Sequence, residues 1–214
     1  MKKKIVITGG LGYIGTELCK LYSGVSWHHK IIVIDNRFVS ERVSQIRNWN
    51  MEFIQGDILD KNLIHQHCKN ADVVHHLAGI TDVPRIKSES SSAQDEKIKE
   101  VAEKGTQNIL DVINNKCKII FPSTHVVFEG VDKVRNNINE NETTKPVLSY
   151  SSSKAVNEDQ LKNSGKNYVI LRLGSVYGYS TDTMRLDIMT NLFSKIASQN
   201  GTLKLFAGGR QIKS

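Results

Sequence analysis

The chain has 214 residues, 39% of them hydrophobic, which suits one large domain with a substantial core and excludes a disordered or fibrous protein. A formal net charge of +7 suits a polyanionic ligand, but the lysines are scattered beyond the basic start and are not interleaved with aromatics, which argues against nucleic-acid binding. No apolar run approaches a membrane span of roughly 18 residues, the apolar stretch after the basic start is too short for a signal peptide, and Cys19, Cys68 and Cys117 lie too far apart for a disulfide framework or a zinc site; a cytoplasmic protein without a metal is expected.

The first predicted strand, KIVIT (4–8), runs directly into TGGLGYIG and a helix carrying Ile14, Leu18 and Leu21. Gly9, Gly12 and Gly15 have the spacing of a loop that turns tightly, lets its backbone approach a pyrophosphate and packs the helix closely, with the helix dipole facing the phosphates. The second strand, IIVID (31–35), ends on Asp35, about twenty residues beyond the last glycine, where a carboxylate accepts hydrogen bonds from both adenosine ribose hydroxyls. That carboxylate repels a 2′-phosphate and so points to NAD rather than NADP; Arg37 is the one neighbour that suits the phosphate.

Further strands are predicted at MEFI (51–54), DVVHHLA (72–78), KIIFPS (118–123), YVILRL (168–173) and LKLF (203–206). Between them, Ile98, Val101, Ala102, Ile109, Val112 and Ile113 recur with helical spacing, and RLDIMTNLFSKIA (185–197) reads as an amphipathic helix. KSESSSAQDE (87–96) reads as a polar loop. Strands alternating with helices imply an α/β protein with a doubly wound, Rossmann-like parallel sheet, whose ligands bind beyond the carboxyl ends of the strands.

Tyr150 and Lys154, in YSSSK, lie one helical turn apart on one face. A free phenol, with a pKa near 10, is a poor base at neutral pH, and lowering it by about three units takes roughly 4 kcal/mol of differential stabilisation, which a fixed ammonium and an oxidised nicotinamide can share. The spacing also arises by chance in a lysine-rich chain, so the flanking segments decide.

Those segments, with the motifs before them, resemble the extended short-chain dehydrogenases/reductases, the family of nucleotide-sugar epimerases and dehydratases. TGGLGYIG matches the TGxxGxxG loop, Asp35–Asn36 the D-N pair, GDIL (56–59) and HLAG (76–79) the family's G-D-I/L and H-L-A-G, FPSTHVVFEG (121–130) its S-S-[S/T]-x-x-V-Y-G, and LRLGSVYG (171–178) its L-R-x-x-N-V-Y-G. The resemblance implies catalytic Thr124, Tyr150 and Lys154. It implies a cofactor site of Gly9, Gly12, Tyr13, Ile14, Gly15, Asp35, Asn36, Arg37, Asp57, Ile58, Leu77, Ala78, Gly79 and Leu173 together with Tyr150 and Lys154. It further implies NAD held through turnover, a nucleotide-sugar substrate, and a possible homodimer.

The pattern has departures. His125 and Val126 stand where dehydratases carry acids, which disfavours dehydration, although a histidine is able to titrate near neutrality. Ala102 replaces the asparagine of N-x-x-G-T, Phe128 and Glu129 the tyrosine and glycine of V-Y-G, Ser175 the asparagine of N-V-Y-G, and Lys213 an arginine near the end. Arg185 reads as a solvated residue at a helix start or a contact for a diphosphate. Residues 1–178 are expected to form the cofactor domain and 179–214 the start of a truncated substrate-binding region. An epimerase-like oxidoreductase is the favoured reading, with a net NAD(P)-dependent reductase or dehydrogenase, or a non-catalytic dinucleotide-binding protein, as alternatives.

Overall fold

A computed structural model describes residues 2–81, 90–180 and 184–210. Six strands, β1 (Lys4–Thr8), β2 (Lys30–Asp35), β3 (Glu52–Gln55), β4 (Val73–His76), β5 (Lys118–Thr124) and β6 (Asn167–Leu173), form one sheet in the order β3-β2-β1-β4-β5-β6. Every pair is parallel, with Ile5 opposite Ile31 on one side of β1 and Val73 on the other. The order reverses between β1 and β4, and the crevice at such a reversal is where doubly wound sheets bind ligands.

Alternation along the strands sends residues to two cores. Ile5, Ile7, Ile31 and Val33 pack on one face against Leu11, Cys19, Val43 and Ile46, the last three from α1 (Tyr13–Ser23) and α2 (Ser40–Asn48). Val6, Ile32, Ile34, Val74, Ile119 and Phe121 face the other way, onto α3 (Lys61–Cys68), α4 (Ser92–Val112) and α5 (Ser149–Asn163). Strands buried on both faces read as near-continuous apolar runs, which is why they were visible in the sequence.

The expectations differ from the structure in three places. LKLF is not a strand: residues 201–205 carry no regular structure, and Leu203 and Leu205 are exposed. An alternation of two leucines without a hydrogen-bonding neighbour cannot hold an extended edge, and among the described residues only β5 pairs with β6. The polar stretch 87–96 is not a loop throughout: residues 87–89 lie outside the described residues, and from Ser92 the chain is helical because the Ser91 hydroxyl caps α4, accepting from the Gln94 amide at 3.3 Å. The amphipathic segment begins its helix, α6 (Met189–Ser198), four residues later than its pattern suggests. Among the described residues no helix is long and apolar enough to cross a membrane.

One polar chain crosses the core beneath the sheet's carboxyl edge. His76 on β4 shares hydrogen bonds of 3.0 Å with Thr8 on β1 and with Thr106 on α4, and burial pulls its imidazole down to about 3. The unfolded chain therefore takes up a proton that the folded one refuses, so stability is present above the ordinary histidine pKa and is lost as pH falls below it. Urea denaturation between about pH 6.5 and pH 4 should show stability declining by up to 1.4 kcal/mol per pH unit for this group, with His75, also held down by burial, adding to it. His76→Gln should flatten that slope by up to one proton; an unchanged slope would remove His76 as its cause.

Candidate active site

A cleft of about 590 Å³ opens at the carboxyl edge of the sheet, above β1 and β4, and every site residue expected from the sequence lines it. At its centre Gly9 has φ of +71°, and its amide donates to the Ile34 carbonyl at 2.7 Å. A Cβ there would lie 2.7 Å from the Ala78 nitrogen and 2.8 Å from the Leu77 carbonyl carbon, so the turn after β1 and the chain leaving β4 touch only because no side chain intervenes. Gly15 is equally constrained: a Cβ would come within 2.3 Å of the Gly9 oxygen. Its absence lets the first turn of α1 sit on the loop. Gly12 is the N-cap of α1, which has no capping side chain and no acid in its first turn, so the positive end of the helix dipole faces the cleft.

Asp35 is buried at the end of β2. One carboxylate oxygen accepts the Leu11 amide at 2.9 Å and the other the Arg37 amide at 3.0 Å, which ties the glycine loop to the adjacent strand. A carboxylate has more acceptor sites than these two amides use, so the group that shapes the loop also suits a ribose hydroxyl. Arg37 pairs with Asp35 at 3.6 Å. Asn36 bonds Asp57 at 3.4 Å, and Asp57 itself accepts the Leu59 amide. Ile58 is held from α4, where the Asn108 amide donates to the Ile58 carbonyl at 2.9 Å and Gly105 leaves room for the Ile58 side chain. Beyond β4, the Ala78 amide bonds the Thr8 hydroxyl at 3.3 Å, presenting Leu77, Ala78 and Gly79 to the cleft.

The opposite wall comes from β5, α5 and the chain after β6. Thr124 ends β5, and its hydroxyl accepts the Val126 amide at 3.3 Å. Tyr150 and Lys154 occupy the first two turns of α5. The Lys154 ammonium donates to the Pro122 carbonyl at 2.8 Å, lies 4.4 Å from the Phe121 ring centroid and 5.8 Å from that of Tyr150, and is pulled down to about 8 by burial. The Tyr150 hydroxyl is held above its ordinary value because burial outweighs the opposing charge of Arg185. The spacing to Lys154 alone therefore does not depress the phenol, because burial opposes it.

The departures have identifiable partners. His125 does not line the cleft; its Nδ1 donates to the Leu173 carbonyl at 3.1 Å, and Leu173 does line it. The Phe128 ring lies 5.1 Å from the Arg172 guanidinium, which grips buried Glu158 with two bonds of 2.9 and 2.6 Å, while Ser123 donates to the same carboxylate. Ala102 borders a small side cavity of about 20 Å³ shared with Tyr150, Ser153 and Lys154. Ser175 lines the main cleft, and Lys213 lies outside the described residues. Arg185 is not simply solvated: it lines the cleft, pairs with Asp187 and reaches the Thr81 carbonyl at 3.5 Å. Buried Asn191 on α6 accepts the Gly178 amide and donates to the Arg185 carbonyl, and the Tyr13 hydroxyl donates to the Gly178 carbonyl at 2.5 Å, fixing the chain after β6 against the start of α1. Lys97 also lines the cleft, from within α4, where no local motif marks it.

A family model described as NAD dependent epimerase/dehydratase matches residues 5–213. The chain is 30% identical over 197 residues to a dTDP-D-glucose 4,6-dehydratase of Dictyostelium discoideum, covering 82% of this chain and 44% of that one. It is 29% identical over 182 residues to a UDP-glucose 4-epimerase of Neisseria meningitidis, covering 77% and 49%. The UDP-glucuronic acid 4-epimerase of Bacillus cereus, solved with UDP-glucuronic acid and NAD, shares the fold with a TM-score of 0.75 at 24% identity, over 97% of this chain and 67% of that one. This chain therefore spans between about two fifths and two thirds of the length of these relatives. With the glycine loop, the acidic end of β2 and the Tyr–Lys helix around one cleft, the chain belongs to the NAD dependent epimerase/dehydratase family.

Proposed function

We propose that the cleft binds NAD and a nucleotide sugar and that the protein is an epimerase-type oxidoreductase which keeps its cofactor through turnover. The observation that carries this reading is that Thr124, Tyr150 and Lys154 line the same cleft as the glycine loop and Asp35. The residues present suit the cofactor: the uncapped start of α1 for the pyrophosphate, Asp35 for the adenosine ribose, and Asp57 and Ile58 for the adenine edge. NAD, when bound, supplies a hydride acceptor and a second positive charge near the phenol.

The remaining chemistry belongs to the chain. Tyr150, as phenolate, takes the proton of the sugar hydroxyl whose carbon gives up hydride, and Thr124 orients that hydroxyl. Lys154 stands behind the tyrosine with its ammonium anchored on the Pro122 carbonyl, and it is the group for the nicotinamide ribose. Burial raises the cost of the phenolate, and the positive charge of an oxidised nicotinamide would offset it. Epimerisation is favoured over dehydration because His125 is turned to the Leu173 carbonyl, outside the cleft, and a hydrocarbon at Val126 transfers no proton.

Two outcomes follow. Mass spectrometry of the purified protein should find NAD, and Gly15→Ala, whose new methyl meets the Gly9 oxygen, should lower the bound fraction at least about 10-fold; equal NAD content in the two proteins would refute the cofactor site. Conversion of UDP-glucose, UDP-N-acetylglucosamine or UDP-glucuronic acid without added NAD should occur and fall by about 10²–10⁴ in Tyr150→Phe, measured as kcat. Turnover that requires stoichiometric external cofactor would make the protein a net reductase or dehydrogenase instead.

A further inference from the structure

We propose that Glu129 is a positioning residue for Tyr150, clamping the start of α5 from outside the helix. Glu129 stands where V-Y-G has glycine, just past the 3₁₀ turn His125–Phe128. Its Oε1 accepts the Val147 amide at 2.8 Å, the Leu148 amide at 2.7 Å and the Ser151 hydroxyl. Those donors bracket Tyr150, the second residue of the helix.

α5 does not provide this clamp for itself. Its N-cap, Leu148, has no side-chain acceptor, and its first turn contains no acid. Helix starts present unsatisfied amides and a positive dipole end, and an anion brought in from another segment answers both. The backbone places the carboxylate there: Gly130 donates to the Lys145 carbonyl at 2.8 Å and Lys145 to the Val127 carbonyl at 2.8 Å, so residues 127–130 run alongside the entry to the helix. Gly130 is needed for that approach, since a Cβ would lie 2.6 Å from the Lys145 oxygen.

The clamp has an electrostatic consequence because of what else faces Tyr150. Lys154 lies one turn along the same helix, Arg185 faces it from the chain after β6, and Lys97 lines the cleft from α4. Asp95, at the start of α4, hydrogen-bonds the Ser149 side chain, so among the described residues it and Glu129 are carboxylates that meet the first turn of α5. Glu129 offsets part of the positive field of the helix start and so opposes ionisation of the tyrosine; because its side chain is exposed, solvent screens the effect.

Two variants of the intact protein separate the clamp from a merely structural contact. Glu129→Gln keeps the acceptor oxygen and drops the charge, and Glu129→Gly drops both. Tyr150 ionisation is read by ultraviolet difference titration against the matching Tyr150→Phe proteins, and amide protection of Val147 and Leu148 by hydrogen exchange. Glu129→Gln should move the Tyr150 titration about 0.2–0.4 pH units lower. Glu129→Gly should do the same and speed exchange of both amides by about 10-fold. Amide exchange of Val147 and Leu148 unmoved in Glu129→Gly, or a titration unmoved in Glu129→Gln, overturns the proposal, and the isosteric variant carries the test if the glycine variant fails to fold. The importance of the clamp for turnover rests on Tyr150 being the base, but these readouts need no substrate, so failure of that reading is seen separately in the Tyr150→Phe activity assay.

Discussion

The contact between Gly9 and the backbone at Leu77 and Ala78 is the constraint from which the rest of the site follows. It joins the exits of β1 and β4 where the strand order reverses, and it leaves no room for a side chain. Once those exits touch, the start of α1 points into the space above them, and Asp35 reaches the loop from β2 to hold it through the Leu11 amide. The Thr8–His76–Thr106 chain locks the same junction from beneath, linking β1, β4 and α4 through a neutral imidazole. One side is therefore held by contacts within the protein: a backbone approach, a carboxylate and a buried imidazole.

The other side is governed by burial of charge. The Lys154 ammonium lies against the Pro122 carbonyl and the rings of Phe121 and Tyr150, and burial holds the Tyr150 phenol above its ordinary value. Burial pushes a phenol up and an ammonium down, so each change resists the charged state of its own group. Buried Glu158 shows the contrasting case: burial alone would push its carboxyl up, but Arg172 and Ser123 outweigh that and hold it below the usual carboxylate range. A pair complete within the protein stabilises β5, β6 and α5 and has nothing left to offer a substrate.

The sequence displayed the sheet and the glycine side almost fully, because strands buried on both faces and closely packed glycines leave local patterns. Residues such as Asn108 and Asn191 left none. Each acts on a partner outside its own helix, Asn108 on the Ile58 carbonyl and Asn191 on the Gly178 amide, and isolated polar residues on helices look alike whatever they face. LKLF misled for the opposite reason: its pattern is that of a strand, but a strand is defined by a neighbour that a single sequence does not display. The tyrosine's ionisation was likewise hidden, since spacing revealed the nearby ammonium but not the burial opposing it.

Around the departures at Ala102, Phe128 and Glu129 the polar ties run through other atoms. At Ala102 no side-chain amide is available, but the backbone carbonyl of that residue accepts the Asn157 amide at 3.0 Å, and Gln160 reaches the Glu103 carbonyl at 3.1 Å, so α4 and α5 remain bonded across the same turn. At Phe128 the ring supplies a face for Arg172 in place of a hydroxyl. At Glu129 a longer side chain reaches the helix start that Leu148 leaves uncapped. Backbone carbonyls and amides tolerate such exchanges of side-chain partner because their positions are fixed by the elements they belong to. The glycine loop has no comparable freedom: at Gly9 and Gly15 the missing atom is itself the requirement, and no alternative partner can replace an empty space.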